Sequence, residues 1–522
     1  MVSAQTVFLA FLVMPAVALA QTKRPPNIVL VVADDYGYRD IGYHGAEFAT
    51  PTLDKLAAGG VKLENYYVQP ICSPTRSQLM TGRYQIHTGL EHSIIWKSQP
   101  NGLPLQYPTI ADLLKGQGYS THAIGKWHLG FYKEKYTPLH RGFDTFYGYW
   151  GGGEDYYTYW SCDWSPHQKA GSNRKMCGYD LRDMEEPVSD MNGTYSTLLY
   201  TKKAVELINS TATSDQPFFL YLAYQAVHDP MEAPEHYIKP YEHIQNKKRR
   251  IYAGMVSALD EGVKNLTEAL QHTGLWDNTV LIFTTDNGGE VHSGGNNWPL
   301  RGAKHTLWEG GVKGIGFVTS PLLSKKQMGK VSTEMMHVSD WFPTVAAMAG
   351  VKVNSTLGLD GYSQWSMIRD GKLSERKEIL HNIDILYTQK GKKLFNNTFD
   401  TSVRASIRVG DYKLLCGDPG DGTWWPVPST NQKELPSLSA AAEERVASPE
   451  SIEGADVKNL WLFNIRDDPN EENDLSTSMP EVVKHLLDRI SYYNATSLPP
   501  VYPPSDPASD PKLHGGFWGP WR

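Results

Sequence analysis

Apolar runs recur along the chain, and each is followed by polar residues. The first covers Asn27–Ala33 and leads directly into Asp34 and Asp35. Three further runs, "STHAIGKWHLG", "PFFLYLAYQAVHDP" and "NTVLIFTTDNGGE", end near Lys126 and His128, near His228, and at Asp286 and Asn287. Runs of this kind, separated by helical patterns such as residues 252–272, predict a mostly parallel sheet with helices on both faces. The fold class is therefore α/β.

The polar residues at the strand ends are expected to share one crevice, because ligands of open α/β sheets bind outside the carboxyl ends of the strands. Taken singly, each has an ordinary explanation. An Asp-Asp pair after a strand is usually a turn or a helix cap, a lone His or Lys is usually solvated, and "DNGG" is a turn signal. Their recurrence after four runs of one sheet favours a shared site.

The residue types indicate an anion site built around a cation. Carboxylate and amide oxygens suit Ca²⁺ or Mg²⁺, whereas Zn²⁺ prefers His and Cys ligands. The oxygen donors are Asp34, Asp35, Asp286 and Asn287, and the complementary cations and donors are Arg76, Lys126, His128, His228 and Lys304. A divalent ion with several cations fits a phosphate or sulfate ester, whose oxygens gain charge during transfer.

Cys72 stands before Ser-Pro-Thr-Arg76, at the start of a predicted helix. A thiolate nucleophile is an awkward interpretation, because cysteine phosphatases usually place five residues between Cys and Arg. A thiolate of low pKa would also be oxidised readily in any oxidising compartment.

Length and charge limit the remaining possibilities. A chain of 522 residues suits one large domain and a smaller one, and a formal charge of −7 leaves no basic footprint for nucleic acid. We place the large domain at residues 21–370 and the smaller one, with strands and a helix in "MPEVVKHLLDRISYYNATS", at residues 371–522. Within the latter, residues 428–456 are predicted to be a mobile loop, and the Pro-rich tail to be extended.

The first twenty residues predict a cleaved signal peptide, since their apolar run is shorter than the ~20 residues of a membrane span. No membrane anchor is therefore expected. Six sequons support a glycosylated secretory protein; they begin at Asn192, Asn209, Asn265, Asn354, Asn396 and Asn494. In that oxidising compartment we expect Cys162 and Cys177, which share an aromatic-rich stretch that is typical of a loop, to pair. A bridge between Cys72 and Cys416 is not excluded.

Aromatic residues just before Cys162 either line a pocket or pack the loop; they are Tyr156, Tyr157, Tyr159 and Trp160, beside Glu154 and Asp155.

The motif "CSPTR" at residues 72–76, followed by "LMTGR" at residues 79–83, resembles the sulfatase signature C-x-P-x-R…L-x-T-G-R. The resemblance continues through "ADDYGYRDIGYHG", "GKWHLG", "DNGGEVHSGGNNWPLRGAKHTLWEGGVKG" and "LWLFNIRDDPNEENDLS". The chain is most similar to the arylsulfatase B, or N-acetylgalactosamine-4-sulfatase, group and its invertebrate relatives. This implies an alkaline-phosphatase-like large domain with a mixed, mostly parallel sheet, and a C-terminal domain with an antiparallel sheet and a helix.

The same resemblance implies an enzyme that hydrolyses aryl sulfates or sulfated sugars with one Ca²⁺. The formylglycine-generating enzyme would oxidise Cys72 to Cα-formylglycine, whose hydrate attacks sulfur. The implied calcium ligands are Asp34, Asp35, residue 72, Asp286 and Asn287. Arg76 and Lys126 would hold the hydrate, and Lys126, His228 and Lys304 would grip the sulfate. His228 or Lys304 would protonate the leaving alcohol, and His128 would take a proton from the hydrate to release sulfate.

The chain departs from the arylsulfatase B pattern at several positions. Ser98, Gly102 and Ser509 stand where that group has cysteines, and Asp421 rather than Cys416 stands at another. The comparison implies a free, buried Cys416, with Cys162–Cys177 as the only disulfide. Ala303 and His305 flank Lys304 near the expected leaving group, so substrate preference need not follow that group.

Two rival hypotheses remain. A phosphatase or phosphodiesterase of the same superfamily would carry Ser or Thr as its nucleophile and two zinc ions with several His ligands. A catalytically silent, glycan-binding scaffold would have lost a catalytic residue, whereas each expected residue is present. Both a secreted and a lysosomal destination fit the sequence.

Overall fold

The computed structural model describes residues 24–163, 175–427 and 457–522. The predicted signal peptide and the predicted mobile loop at residues 428–456 lie outside the described residues. None of the helices in the described ranges is long and apolar enough to cross a membrane.

A ten-stranded sheet forms the centre of the large domain, with strand order β13-β2-β12-β11-β1-β10-β4-β5-β8-β9. Its strands are β1 (Asn27–Ala33), β2 (Val61–Leu63), β4 (Ser120–Lys126), β5 (Thr145–Tyr149), β8 (Leu181–Asp183), β9 (Glu186–Pro187), β10 (Phe218–Ala223), β11 (Thr279–Thr285), β12 (Gly316–Thr319) and β13 (Lys330–Ser332). The central strands β11, β1, β10, β4 and β5 are parallel, and antiparallel pairs flank them. The predicted mixed, mostly parallel sheet is confirmed.

The strand register aligns the carboxyl ends of the central strands. Ala33 lies opposite Thr285, and Ala223 lies opposite Gly125. The residues that follow therefore start from one edge of the sheet, as the sequence predicts. That edge carries the candidate active site.

Helices cover both faces of this sheet. They are α1 (Pro51–Gly59), α2 (Cys72–Thr81), α3 (Ile110–Lys115), α4 (Ser196–Thr211), α5 (Glu235–Ile238), α6 (Lys247–His272), α7 (Glu309–Val312), α8 (Trp341–Met348) and α9 (Trp365–Asp370). Alternate residues of β1 point to opposite faces, so Val29 and Val31 join a core with α4 and α6, while Leu30 and Val32 join one with α8. Burial on both faces explains why β1 is continuously apolar.

A smaller antiparallel sheet lies in the C-terminal part of the chain, in the order β15-β16-β17-β18. Its strands are β15 (Glu378–Asp384), β16 (Arg404–Val409), β17 (Tyr412–Cys416) and β18 (Leu460–Asn464), and α10 (Pro480–Asn494) packs against it. The tail returns to the large domain, where Trp518 is fully buried. This confirms a separate antiparallel unit, while the boundary at residue 370 stays a prediction.

Two short strand pairs complete the described structure. β3 (Tyr66–Tyr67) pairs with β14 (Met336–His337), and β6 (Trp160–Asp163) pairs with β7 (Met176–Tyr179). The loop expected around Cys162 and Cys177 was therefore wrong, because these residues face each other across an antiparallel pair. Their disulfide is present, while Cys72 and Cys416 are both free and buried.

Candidate active site

Asp34 and Asp35 begin the site directly after β1. Both carboxylates are buried, and Asp35 adopts a left-handed backbone (φ 54°). Burial by itself would raise the pKa of Asp34, but Lys126, His228 and Arg76 together hold it below its usual value. Both aspartates are therefore ionised and need positive partners.

Two lysines supply those partners from different elements. Lys126 Nζ, at the end of β4, lies 2.5 Å from Asp34 Oδ2, and Lys304 Nζ lies 2.7 Å from Asp35 Oδ2. Both side chains are nearly inaccessible to solvent. Charges buried this deeply are tolerated because they are paired.

Cys72 is the first residue of α2 and is 2% exposed. Its Sγ lies 3.7 Å from Asp34 Oδ1. Burial is the main reason that the pKa of the thiol lies far above its usual value. An unmodified Cys72 is consequently not a ready thiolate nucleophile.

Arg76 lies one helical turn after Cys72 and ties the helix to the acidic residues. Its Nη2 lies 2.8 Å from Asp286 Oδ2 and 3.5 Å from Asp34 Oδ2, and its Nη1 donates to Tyr221 Oη. The guanidinium therefore bridges carboxylates from the ends of β1 and β11.

The carboxylate and amide oxygens of the site fit a hard cation. Oxygen or other ligand-type atoms of Asp34, Asp35, Cys72 and His228 lie within 4.8 Å of one another. Asn287 donates through Nδ2 to Asp35 Oδ1, but its own Oδ1 is buried and has no hydrogen-bond partner in the described ranges. A buried amide oxygen left unpaired beside carboxylates suits Ca²⁺, which takes carboxylate and amide oxygens.

The calcium ligands predicted from the resemblance include Asp286 and Asn287, whereas the cluster within 4.8 Å contains His228 instead. Asp286 was predicted as a ligand, but here its Oδ2 binds Arg76 and its Oδ1 accepts the Asp35 backbone N–H at 3.2 Å. His228, predicted to bind sulfate, lies 3.8 Å from Asp35 Oδ2 through Nε2. The structure thus brings all the predicted site residues together, while their individual roles stay predictions.

His128 and His228 both lie against a glycine segment, residues 151–153. His128 is buried in a left-handed backbone (φ 57°), and burial together with Lys126 holds its pKa well below 6.5, so the ring is neutral. His228 is 19% exposed and packs against Asp229. A Cβ at Gly152 would lie 2.7 Å from the His128 ring, and one at Gly153 would lie 3.4 Å from His228 Cε1.

Sequence reasoning missed the groups that hold this segment. Lys97 is buried, donates to the Gly153 carbonyl at 2.9 Å and faces Asp180 at 3.7 Å. Asp180 in turn accepts the Gly151 backbone N–H at 3.0 Å. The three consecutive glycines were the available signal, because a run without side chains allows close approach of the backbone.

The aromatic residues near Glu154 mostly serve packing. Tyr156 and Tyr159 are buried, and Tyr156 donates to the His228 carbonyl at 2.8 Å, whereas Trp160 is 41% exposed. The packing alternative is favoured for the first two. Among the sequons, Asn265 is half-buried on α6, and the other five asparagines are exposed.

The comparisons with known proteins agree with this geometry. The Sulfatase family profile matches residues 26–351. Arylsulfatase J of Mus musculus is 48% identical over 511 residues, covering 97% of this chain and 82% of the relative. N-acetylgalactosamine-6-sulfatase of Mus musculus is 32% identical over 389 residues, covering 70% of this chain and 71% of the relative. The crystal structure of Ps i-CgsB superposes with a TM-score of 0.74 at 29% identity, over 94% of this chain and 98% of that one; another crystal structure of that protein is a complex with k-i-k-neocarrahexaose.

An alkaline-phosphatase-like sheet, a buried carboxylate cluster and a paired set of lysines define a hydrolase of charged esters. The chain belongs to the sulfatase family, and it is a sulfuric ester hydrolase of the arylsulfatase type.

Proposed function

We propose that this sulfatase cleaves its esters in the crevice bounded by Cys72, Lys126, His228 and Lys304, using one Ca²⁺ and a formylglycine derived from Cys72. The convergence of Asp34, Asp35, Cys72 and His228 within 4.8 Å is the observation that carries the proposal. It joins a cation-binding donor set to the one cysteine of the sulfatase motif.

Two groups that come from outside the encoded side chains would supply part of the chemistry. Ca²⁺, held by Asp34, Asp35, Asp286 and Asn287, would polarise oxygen, and hydrated formylglycine at position 72 would supply the attacking hydroxyl. The position of Cys72 supports this, because it is the first residue of α2 and its Sγ lies 3.7 Å from Asp34 Oδ1, beside the acidic residues.

The side chains around residue 72 have separate tasks. Lys126 and Lys304 bind the sulfate oxygens and compensate the charge that grows on them. Arg76 holds the N-terminal turn of α2 against Asp286 and so fixes residue 72. His228, the more exposed histidine, donates the proton to the departing alcohol, and neutral His128 accepts a proton when sulfate is released.

The substrate class of the proposal covers aryl sulfates and sulfated sugars. The sugar alternative gains support from Ps i-CgsB, for which one crystal structure is a complex with k-i-k-neocarrahexaose. We further propose maturation in the secretory pathway, by the formylglycine-generating enzyme, with glycans on exposed sequons and delivery outside the cell or to the lysosome.

The test combines two measurements on protein made in a eukaryotic secretory host. Mass spectrometry of the tryptic peptide "LENYYVQPICSPTR" should show formylglycine or its hydrate at position 72. The same preparation should hydrolyse 4-nitrophenyl sulfate, lose activity after chelation and regain it with Ca²⁺.

The control variant is Cys72→Ala, which should fold with an unchanged melting temperature and show no turnover. A preparation with unmodified Cys72 and full activity would contradict the nucleophile assignment. Formylglycine without any sulfate ester hydrolysis would contradict the proposed function of the crevice.

A further inference from the structure

His305 follows Lys304, yet none of the steps above uses it. It is one of the non-glycine residues in a left-handed backbone, with φ 72°. This conformation is strained for a residue that carries a side chain and persists only where the surrounding structure holds it. Such strain beside a substrate-binding lysine points to a functional side chain.

The large domain and the C-terminal sheet each hydrogen-bond to the His305 backbone. Its N–H donates to the carbonyl of Pro70 at 2.8 Å, two residues before Cys72. Its carbonyl accepts Nη2 of Arg404 at 2.6 Å, and Arg404 is the first residue of β16 in the small sheet. The large domain and the C-terminal sheet thus meet at this residue.

The side chain of His305 is much more accessible to solvent than that of Lys304 beside it. It is 53% exposed, whereas the side chain of Lys304 is 7% exposed. Desolvation by the surrounding residues, followed by the charge of Lys304, lowers the pKa of His305 below its usual value, so the imidazole is neutral. The nearest carboxylate oxygen, Oε2 of Glu290, is 3.9 Å from Nε2. That distance is too long for a hydrogen bond, so the imidazole can bind a ligand.

We propose that His305 is a specificity-determining residue that hydrogen-bonds the alcohol part of the ester. This inference rests on the proposed function, in which the buried lysines hold the sulfate. The alcohol part then lies outward, at the half-exposed imidazole. A neutral imidazole offers one donor and one acceptor, which match the hydroxyl groups of a sugar. An unsubstituted aryl ring offers neither, so His305 favours sulfated sugars over simple aryl sulfates.

Kinetics of two substitutions at this position test the inference. Gly relieves the backbone strain and removes the ring, while Asn tolerates φ > 0 and keeps a donor and an acceptor. His305→Gly should lower kcat/KM for 4- or 6-sulfated N-acetylgalactosamine about tenfold, mainly through KM, because about one hydrogen bond is lost. Turnover of 4-nitrophenyl sulfate should change less than about twofold, and His305→Asn should retain most of the sugar activity.

An equal loss on both substrates, or no loss on the sugar, would overturn the inference. His272→Gly, at an exposed position at the end of α6, is the control and should leave both activities unchanged.

A binding measurement separates this inference from the proposed function. In the Cys72→Ala background, calorimetry should show about tenfold weaker binding of the sulfated sugars when His305→Gly is added. Undiminished binding, or no binding of either sugar to the Cys72→Ala protein, would overturn the role of His305. If His305→Gly weakened binding of the sugars as expected but the wild-type protein hydrolysed no sulfate ester, the result would instead contradict the proposed function.

Discussion

Single glycines decide how closely the backbone approaches the histidines of the site. Gly152 and Gly153 are neighbours, but only Gly152 leaves no room for a methyl group, which would lie 2.7 Å from Cε1 and Nε2 of His128. At Gly153 the corresponding contact, 3.4 Å to His228 Cε1, is ordinary. Neither residue has a positive φ, so the contact rather than backbone strain distinguishes them.

Gly152→Ala should therefore lower kcat for an aryl sulfate by about 10- to 100-fold, because a small displacement of the proposed base misaligns proton transfer. Gly153→Ala is the matched variant and should cost less than about threefold. Steady-state kinetics, with melting temperatures to confirm folding, would check this. Equal losses in the two variants would contradict the role assigned to the His128 contact.

A second residue-scale prediction concerns Glu91, whose Oε2 is buried without a hydrogen-bond partner in the described part of the chain. Burial, with Asp384 nearby, raises its pKa from 4.5 to about 8. Between these values the unfolded chain releases the proton while the folded protein keeps it, so the free energy of unfolding falls as pH rises.

Glu91→Gln removes this loss. It should be neutral near pH 4.5 and more stable than wild type by roughly 1–3 kcal/mol at pH 8. Urea unfolding at both pH values measures the difference, with Glu481→Gln on the exposed side of α10 as control. A gain that is the same at both pH values would argue against ionisation as its cause.

At the scale of elements, the first turn of α6 clamps the loops that carry the acidic site residues. Arg249 is buried and binds Asp40 Oδ1 at 2.5 Å, Glu47 at 2.7 Å and the Gly294 carbonyl at 2.7 Å. Asp40 lies in the segment that follows Asp34 and Asp35, and Gly294 lies in the segment that follows Asp286 and Asn287. One helix thus braces both sides of the crevice.

Arg249→Met should destabilise the protein by about 3–5 kcal/mol, because it leaves the Asp40 carboxylate buried without its cation. Arg250→Met, at the next position of the same helix, should cost less than about 1 kcal/mol. Urea denaturation compares the two. Similar midpoints for both variants would refute the bracing role of Arg249.

At the scale of the whole molecule, buried charges join the C-terminal sheet to the large domain. Lys413 of β17 is fully buried and lies 2.9 Å from carboxylates of both Glu309, in α7, and Glu471. Tyr67 donates to the other oxygen of Glu309 at 2.8 Å. The C-terminal sheet is therefore attached beside the segment that carries Lys304.

Lys413→Met should cost about 3–5 kcal/mol, since two carboxylates would remain buried without their cation. Lys458→Met, which removes an exposed pair with Asp474, should change stability by less than about 1 kcal/mol. Urea unfolding followed by tryptophan fluorescence tests both. If Lys413→Met lowered the free energy of unfolding by less than about 1 kcal/mol, as expected for a surface pair, the attachment of the C-terminal sheet would not depend on this pairing.

Local pattern alone predicted much of the fold. The limits of β1 at Asn27–Ala33 are those of its apolar run, and α10 falls within its amphipathic segment. The strand-end rule correctly assembled Asp34, Lys126, His228 and Asp286 at one edge. The sequence failed around Cys162, where the polar, aromatic stretch suggested a loop although β6 and β7 pair there, because strand formation depends on cross-strand packing that a local pattern does not show.

The sequence by itself therefore determined the fold class, the family and the inventory of the site, because periodicity and the sulfatase motif are local properties of the chain. Tertiary structure alone decided the contacts between distant segments. Lys97 reached the glycine segment, Arg404 held the His305 carbonyl, and the Asn287 amide oxygen was left unpaired among carboxylates. Those contacts depend on packing across the sheet edge and between the two sheets, which no local pattern encodes.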